Sequence, residues 1–191
     1  MIGTKNLKVS ISTDLNNQIN KKIQVFVDEM SQKKQSVDYY TKNRSVKADK
    51  AMEDIFLGKK AEYFVSIGLE KSLKLPYIEP DLEIRKGKKK GWDADLQHKD
   101  IPNIHVKACS DKTVKYCKDF SWTFQYSNKS GKNGKDKLLE DENNDIIALV
   151  YLPNHLSDTG EIKVISYWRD LSKYLKDPLK PTLIGMKKCL Y

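Results

Sequence analysis

Residues 145–152 (Asp-Ile-Ile-Ala-Leu-Val-Tyr-Leu) form a near-continuous apolar run in a chain otherwise crowded with charge. The run is far short of the roughly 18 apolar residues that a membrane span needs. It lacks the alternation of a strand with one wet face, so it reads as a strand covered on both sides. A chain that contains such a strand must place layers above and below it. The expected class is therefore α/β or α+β, a mixed central sheet flanked by helices.

The flanking material is present. Leu15, Ile19, Ile23, Phe26, Val27 and Met30 recur at helical spacing and predict an amphipathic helix over 14–30. A longer helix is expected over 46–69, with Ser45 as its N-cap, and Pro76 and Pro80 break the pattern after it. Short strands are expected at 8–12, 77–84, 92–98, 103–109, 121–126 and 162–167, and a last helix at 170–175. Residues 127–137 contain Gly, Asn and Lys and no apolar residue, and read as a mobile basic loop. The length of 191 residues suits one compact unit, with 1–45 as a strand/helix extension and 46–191 as the core domain.

Composition narrows the function. With 39% apolar residues the chain can bury a core, which excludes a disordered chain. No membrane span is expected, and the first ten residues lack the apolar stretch of a secretory signal. Cys109, Cys117 and Cys189 are odd in number and scattered, so a disulfide framework is not expected and a reducing, cytoplasmic setting (bacterial or viral) is. The formal charge is +9, and only Arg44, Arg85 and Arg169 are arginines. Lysine is a point charge that suits phosphate groups, whereas arginine is the usual bidentate reader of guanine edges. A lysine-biased genome would leave the same composition, so charge suggests an anionic partner without proving one. The residues expected to meet a nucleic-acid backbone are Lys86, Lys88, Lys89 and Lys90, and Lys129, Lys132 and Lys135 in the basic loop.

The chemistry-bearing residues follow from periodicity. Glu62 falls on the same helical stripe as Ala51, Ile55, Val65 and Leu69, and a carboxylate facing a core is costly unless it is paired or bound to metal. The plainer reading is a glutamate bonded to a lysine such as Lys59. Further on, 92–98 and 103–109 read as a hairpin turning near Lys99 or Asp100. Alternation puts Asp93 and Asp95 on one face of the first strand, and His105 and Lys107 on one face of the second. Ile104 and Val106 point the other way. The turn would bring Asp93 or Asp95 opposite His105 or Lys107; the plainer reading is a solvated, charged hairpin. Carboxylates, an imidazole and an ammonium together suit metal-assisted phosphodiester hydrolysis.

These elements resemble the PD-(D/E)xK, or restriction-endonuclease-like, nucleases over roughly 46–152. The carriers are a helix glutamate (Gly-Lys-Lys-Ala-Glu62), a Gly-aromatic-Asp strand (Gly91-Trp92-Asp93), His105-Val106-Lys107, and the later apolar strand. The resemblance implies an αβββαβ core and a divalent-metal-dependent endonuclease acting on DNA, a type II restriction enzyme or a phage or mobile-element nuclease. Glu62, Asp93 and Asp95 would hold Mg²⁺, with Mn²⁺ as the alternative ion, and Lys107 would assist the attacking water. It also implies a homodimer, since cutting two strands requires two sites. Gln125 falls where some members carry a polar residue near the site. The chain departs from the family at His105, which stands where an Asp or Glu is usual; imidazole is a poor Mg²⁺ ligand. A literal Pro80-Asp81 lies too far from His105 along the chain and is set aside.

Other chemistries fit less well. His98, His105, Cys109 and Cys117 are zinc-type donors, but without finger or ribbon spacing. No nucleophile elbow surrounds a serine, His155 has no evident partner, and no phosphate-cradling glycine motif is present, so no nucleotide cofactor is expected. The alternatives retained are a structure-specific junction nuclease and a non-catalytic nucleic-acid-binding or interaction protein on the same fold.

Overall fold

The computed structural model describes residues 6–32, 48–84, 94–126, 136–139 and 144–191. The strands are β1 (Leu7–Ser10), β2 (Leu96–His98), β3 (Ile101–Cys109), β4 (Trp122–Gln125), β5 (Ile146–Tyr151), β6 (Thr159–Tyr167) and β7 (Lys187–Leu190). The α-helices are α1 (Thr13–Gln32), α2 (Ala48–Leu73), α3 (Asp111–Cys117) and α4 (Trp168–Leu171). Five strands form one mixed sheet in the order β1-β6-β5-β3-β2, and β4 and β7 pair separately. Within the large sheet β3 and β5 run parallel, from Ile104 opposite Ile146 to Cys109 opposite Tyr151. The other pairings are antiparallel.

β5 is the strand that the apolar run predicts. Its residues alternate between two cores: Ile146, Ala148 and Val150 join the cluster under α1 and α2, while Ile147 and Leu149 join a second cluster with Trp122, Phe124, Leu138 and Trp168. Both faces are dry because the helices cover one and the β4–β7 ribbon with α4 covers the other. The Trp122 indole N–H donates to the Val150 carbonyl at 3.1 Å, so this side chain brings its own polar atom to a partner.

α1 lays Ile19, Ile23, Phe26, Val27 and Met30 into the helix-side core, and β1 hydrogen-bonds along β6. Residues 7–32 thus share the sheet and core of the rest. Between the helices, Lys60 is fully buried; its ammonium donates to the side-chain oxygens of Asn16 and Asn20, and burial pushes its pKa down to about 8.

α2 ends in a left-handed residue, Lys74, with the Leu75 N–H bonded back to the Leu69 carbonyl at 3.1 Å. That six-residue closure is a Schellman-type stop made without glycine. The chain then runs back along α2 as residues 75–84. This segment is not the strand expected at 77–84. Pro76 and Pro80 remove ladder donors, and the segment bonds to the helix instead: Ser66 Oγ donates to the Ile78 carbonyl and the Tyr63 hydroxyl to Glu79. The expected final helix at 170–175 is instead α4 followed by a 3₁₀ turn, Ser172–Tyr174. At the end of the expected basic loop, Asp136 is buried and leads into a 3₁₀ turn at Lys137–Leu139. Residues 127–135 lie outside the described residues.

Among the described residues, no helix is long and apolar enough to cross a membrane.

Candidate functional site

The hairpin forms with a turn at Lys99 and Asp100, and its register sets Leu96 opposite Ile104 and His98 opposite Ile101. One residue before β2 begins, Asp95 has turned its carboxylate onto β3, where Oδ2 accepts the Val106 N–H at 2.7 Å. The carboxylate thus continues the ladder beyond the end of the strand. Asp93 lies outside the described residues, as do Lys86, Lys88, Lys89, Lys90, Lys129, Lys132 and Lys135.

Glu62 comes from α2, whose apolar neighbours share a core with Ile104, Val106 and Ala108. It is only 4% exposed, and Oε2 accepts from the Lys59 ammonium at 2.9 Å. Both readings of Glu62 therefore hold at once: it faces inward, and it is paired to Lys59. Burial pushes its pKa up to about 8, with Lys59 opposing and the negative charges of Asp95 and Asp81 adding to the rise. Two carboxylates 33 residues apart along the chain are thus brought within electrostatic reach, and the returning segment adds a third, Asp81.

β3 carries the rest. His105, Lys107 and Cys109 alternate with Ile104, Val106 and Ala108, and the second set faces the helices. The His105 imidazole is buried and its Nε2 lies 3.0 Å from Asp145 Oδ2. An ionised carboxylate only accepts, so Nε2 carries the proton there. The Lys107 ammonium donates to Asp136 Oδ2 at 2.7 Å and sits 5.6 Å from the centre of the Phe124 ring. Gln125 accepts from Lys187 and donates to the Met186 carbonyl, which ties it to β7.

The four described site residues therefore divide into two groups. Glu62 and Asp95 lie within electrostatic reach of each other. His105 and Lys107 share the other face of β3, and each hydrogen-bonds an acid of its own. Among the described residues, Asp95 bonds to backbone, His105 to Asp145 and Lys107 to Asp136; the pairing open to Asp93 lies outside the described residues. Asp95 precedes the first paired residue of β2, and its carboxylate takes a β3 backbone N–H instead of a side chain.

Three acids near these residues do not stand out in the sequence. Asp81 carries a signal in the literal Pro80-Asp81 but lies far from His105 along the chain; the return of 75–84 along α2 brings it within electrostatic reach of Glu62 instead. Asp145 opens the apolar run, and Asp136 closes the lysine loop, but nothing in local patterning pairs either with β3.

For a metal ion, the donors to consider are Glu62 and Asp95. Among the described residues no three His, Cys, Asp or Glu side chains cluster closely enough to hold one. Mg²⁺ asks less: one or two carboxylates, completed by water and substrate phosphate. A raised carboxyl pKa is also a state that a cation relieves, although burial is the first cause of the rise at Glu62 and Lys59 is its present partner. His98 and the cysteines assemble no zinc set: the His98 ring accepts the Asp100 N–H at 3.2 Å, and Cys109 is a buried thiol whose pKa burial raises.

Comparison of the chain with protein families, with characterised proteins and with solved structures finds no match in any of the three.

Proposed function

We propose that the chain is a divalent-metal-dependent endonuclease with a restriction-endonuclease-like core, cutting DNA as a homodimer. The observation that carries this reading is the placement of Asp95, whose carboxylate is bonded to the backbone of the residue before Lys107, within electrostatic reach of the buried Glu62. The order of elements supports it in part: a helix with the glutamate, an antiparallel hairpin, a short helix and, after β4, an apolar strand parallel to the second hairpin strand; among the described residues the hairpin supplies two strands where αβββαβ has three. Glu62 and Asp95, with Asp93, would hold Mg²⁺ or Mn²⁺, which when bound offsets charge on the phosphate and acidifies a water. Glu62 must give up its proton, and Lys59 stands ready as counter-charge. Lys107 presents an ammonium to the attacking water or to the phosphate oxygens. In-line attack would leave a 5′-phosphate and a 3′-hydroxyl. The lysines at 86–90 and 129–135 would supply phosphate contacts.

A second reading, a non-catalytic nucleic-acid-binding protein, is favoured by one observation: Lys107 and His105 are both engaged by acids, as a retired site would leave them. Plasmid cleavage in EDTA, Mg²⁺ or Mn²⁺, beside Lys107→Ala and Asp95→Ala, separates the two. Metal-dependent cutting that both substitutions abolish, with DNA binding retained, is the outcome expected. Salt-sensitive binding without cutting on plasmid, junction or single-stranded substrates would favour the second reading.

A further inference from the structure

From the contacts of Lys107 we infer that Asp136 is a positioning residue, which holds the lysine ammonium at one place on the β3 face. The inference rests on the nuclease reading and adds a residue to it. A free lysine side chain has many rotamers to lose, and a group that must meet a water or phosphate acts best when it is already in place.

Asp136 is built for that task. Its Oδ2 takes the Lys107 ammonium at 2.7 Å, and Oδ1 faces the Leu138 N–H at 3.4 Å. Its own N–H donates to the Gln125 carbonyl at 2.7 Å, and its carbonyl accepts the Leu139 N–H at 2.8 Å. Leu138, two residues on, is fully buried in the core with Phe124 and Trp122. The carboxylate is thus fixed to β4 by its backbone and to the core by the turn that follows. Lys107 is held from two directions, by the carboxylate and by the Phe124 ring. The ion pair is only partly exposed, with Lys107 at 28% and Asp136 at 12% of side-chain surface, so water competes weakly for it. A simple surface pair would not need an acid anchored by main-chain bonds on both sides.

The test compares wild type, Lys107→Ala, Asp136→Asn and Asp136→Glu. Asparagine keeps the size and one oxygen but removes the charge. Initial cleavage rates against DNA concentration, DNA affinity in EDTA, and thermal melting are measured for each. The expected result is a kcat for Asp136→Asn lower by roughly 10- to 100-fold, with KM and EDTA affinity little changed, and partial recovery in Asp136→Glu. Wild-type cutting rates in Asp136→Asn, while Lys107→Ala is inactive, would overturn the role of Asp136 and leave the nuclease reading standing. Parallel loss of kcat, affinity and melting temperature, with glutamate no better than asparagine, would make Asp136 structural only and overturn it too. A wild-type protein that does not cut would overturn the nuclease reading and this role together.

Discussion

A carboxyl group that holds its proton to about pH 8 makes Glu62 the residue whose state most depends on its surroundings. Its folded pKa lies above the unfolded value, so between about 4.5 and 8 the folded chain binds more protons than the unfolded one. Stability therefore falls as pH rises through that window. Glu62→Gln removes the effect. Relative to wild type, the variant should gain stability as pH rises across this range, by a few kcal/mol at most, since each unit is worth about 1.4 kcal/mol. Urea unfolding at pH 5 and pH 8 checks this, and an equal stability difference at both would contradict it. If Glu62 holds a divalent cation as proposed, Mg²⁺ at millimolar concentration should narrow the difference in wild type, because a bound cation favours the ionised carboxylate.

At the scale of elements, α2 and β6 meet through two glycines with different neighbours. A Cβ on Gly68 would reach only the flexible ends of Ile162, Val9 and Leu7, the nearest at 2.6 Å. A Cβ on Gly160 would come within 2.4 Å of Leu152 Cδ2 and 3.1 Å of both the Phe64 ring and the Tyr151 carbonyl. Gly68→Ala also gains up to about 1 kcal/mol of helix propensity, which offsets the repacking. Gly160→Ala gains at most about 1 kcal/mol of strand preference against neighbours that include backbone, and should cost about 1–3 kcal/mol, measurable by denaturant unfolding; equal costs at the two sites would count against this packing. The elements themselves are largely legible in the sequence. Alternation along 103–109 fixes which side chains face which layer, the unbroken apolar run of 145–152 marks a strand covered on both faces, and the helical stripes fix α1 and α2, because periodicity is local. The return of 75–84 is not legible, since it depends on hydrogen bonds between Ser66 and Ile78 and between Tyr63 and Glu79 that only the folded chain defines. For the same reason the site is half legible. Glu62, Asp95, His105 and Lys107 announce themselves by type and spacing, while their partners Asp81, Asp136 and Asp145 reach them only through tertiary contact.

For the molecule as a whole, the formal charge of +9 bears on association more than on folding. If the lysines at 86, 88, 89 and 90 meet phosphates, replacing them together with glutamine should flatten the dependence of log affinity on log salt. The slope should fall by about 0.9 for each phosphate that is no longer neutralised. Filter binding to a short duplex between 50 and 200 mM salt (about the usual working range) measures it. An unchanged slope would remove this segment from the interface. Substitution at Lys107 should leave the slope nearly as it was, because that ammonium already neutralises Asp136.

The pairing of β1 with β6 sets Leu7 beside Ile162 and Ser10 beside Thr159. A ribosome releases the first of these strands long before the second. Until β6 emerges, β1 has no edge to complete, and the core under α1 lacks Ile162 and Ile165. Closure of the sheet is therefore a late event of synthesis, governed by a loop of some 150 residues whose entropy rises only slowly with length. A chain arrested before β6 would present an unfinished sheet edge and half a core to its surroundings, the kind of surface that chaperones cover and other nascent chains stick to.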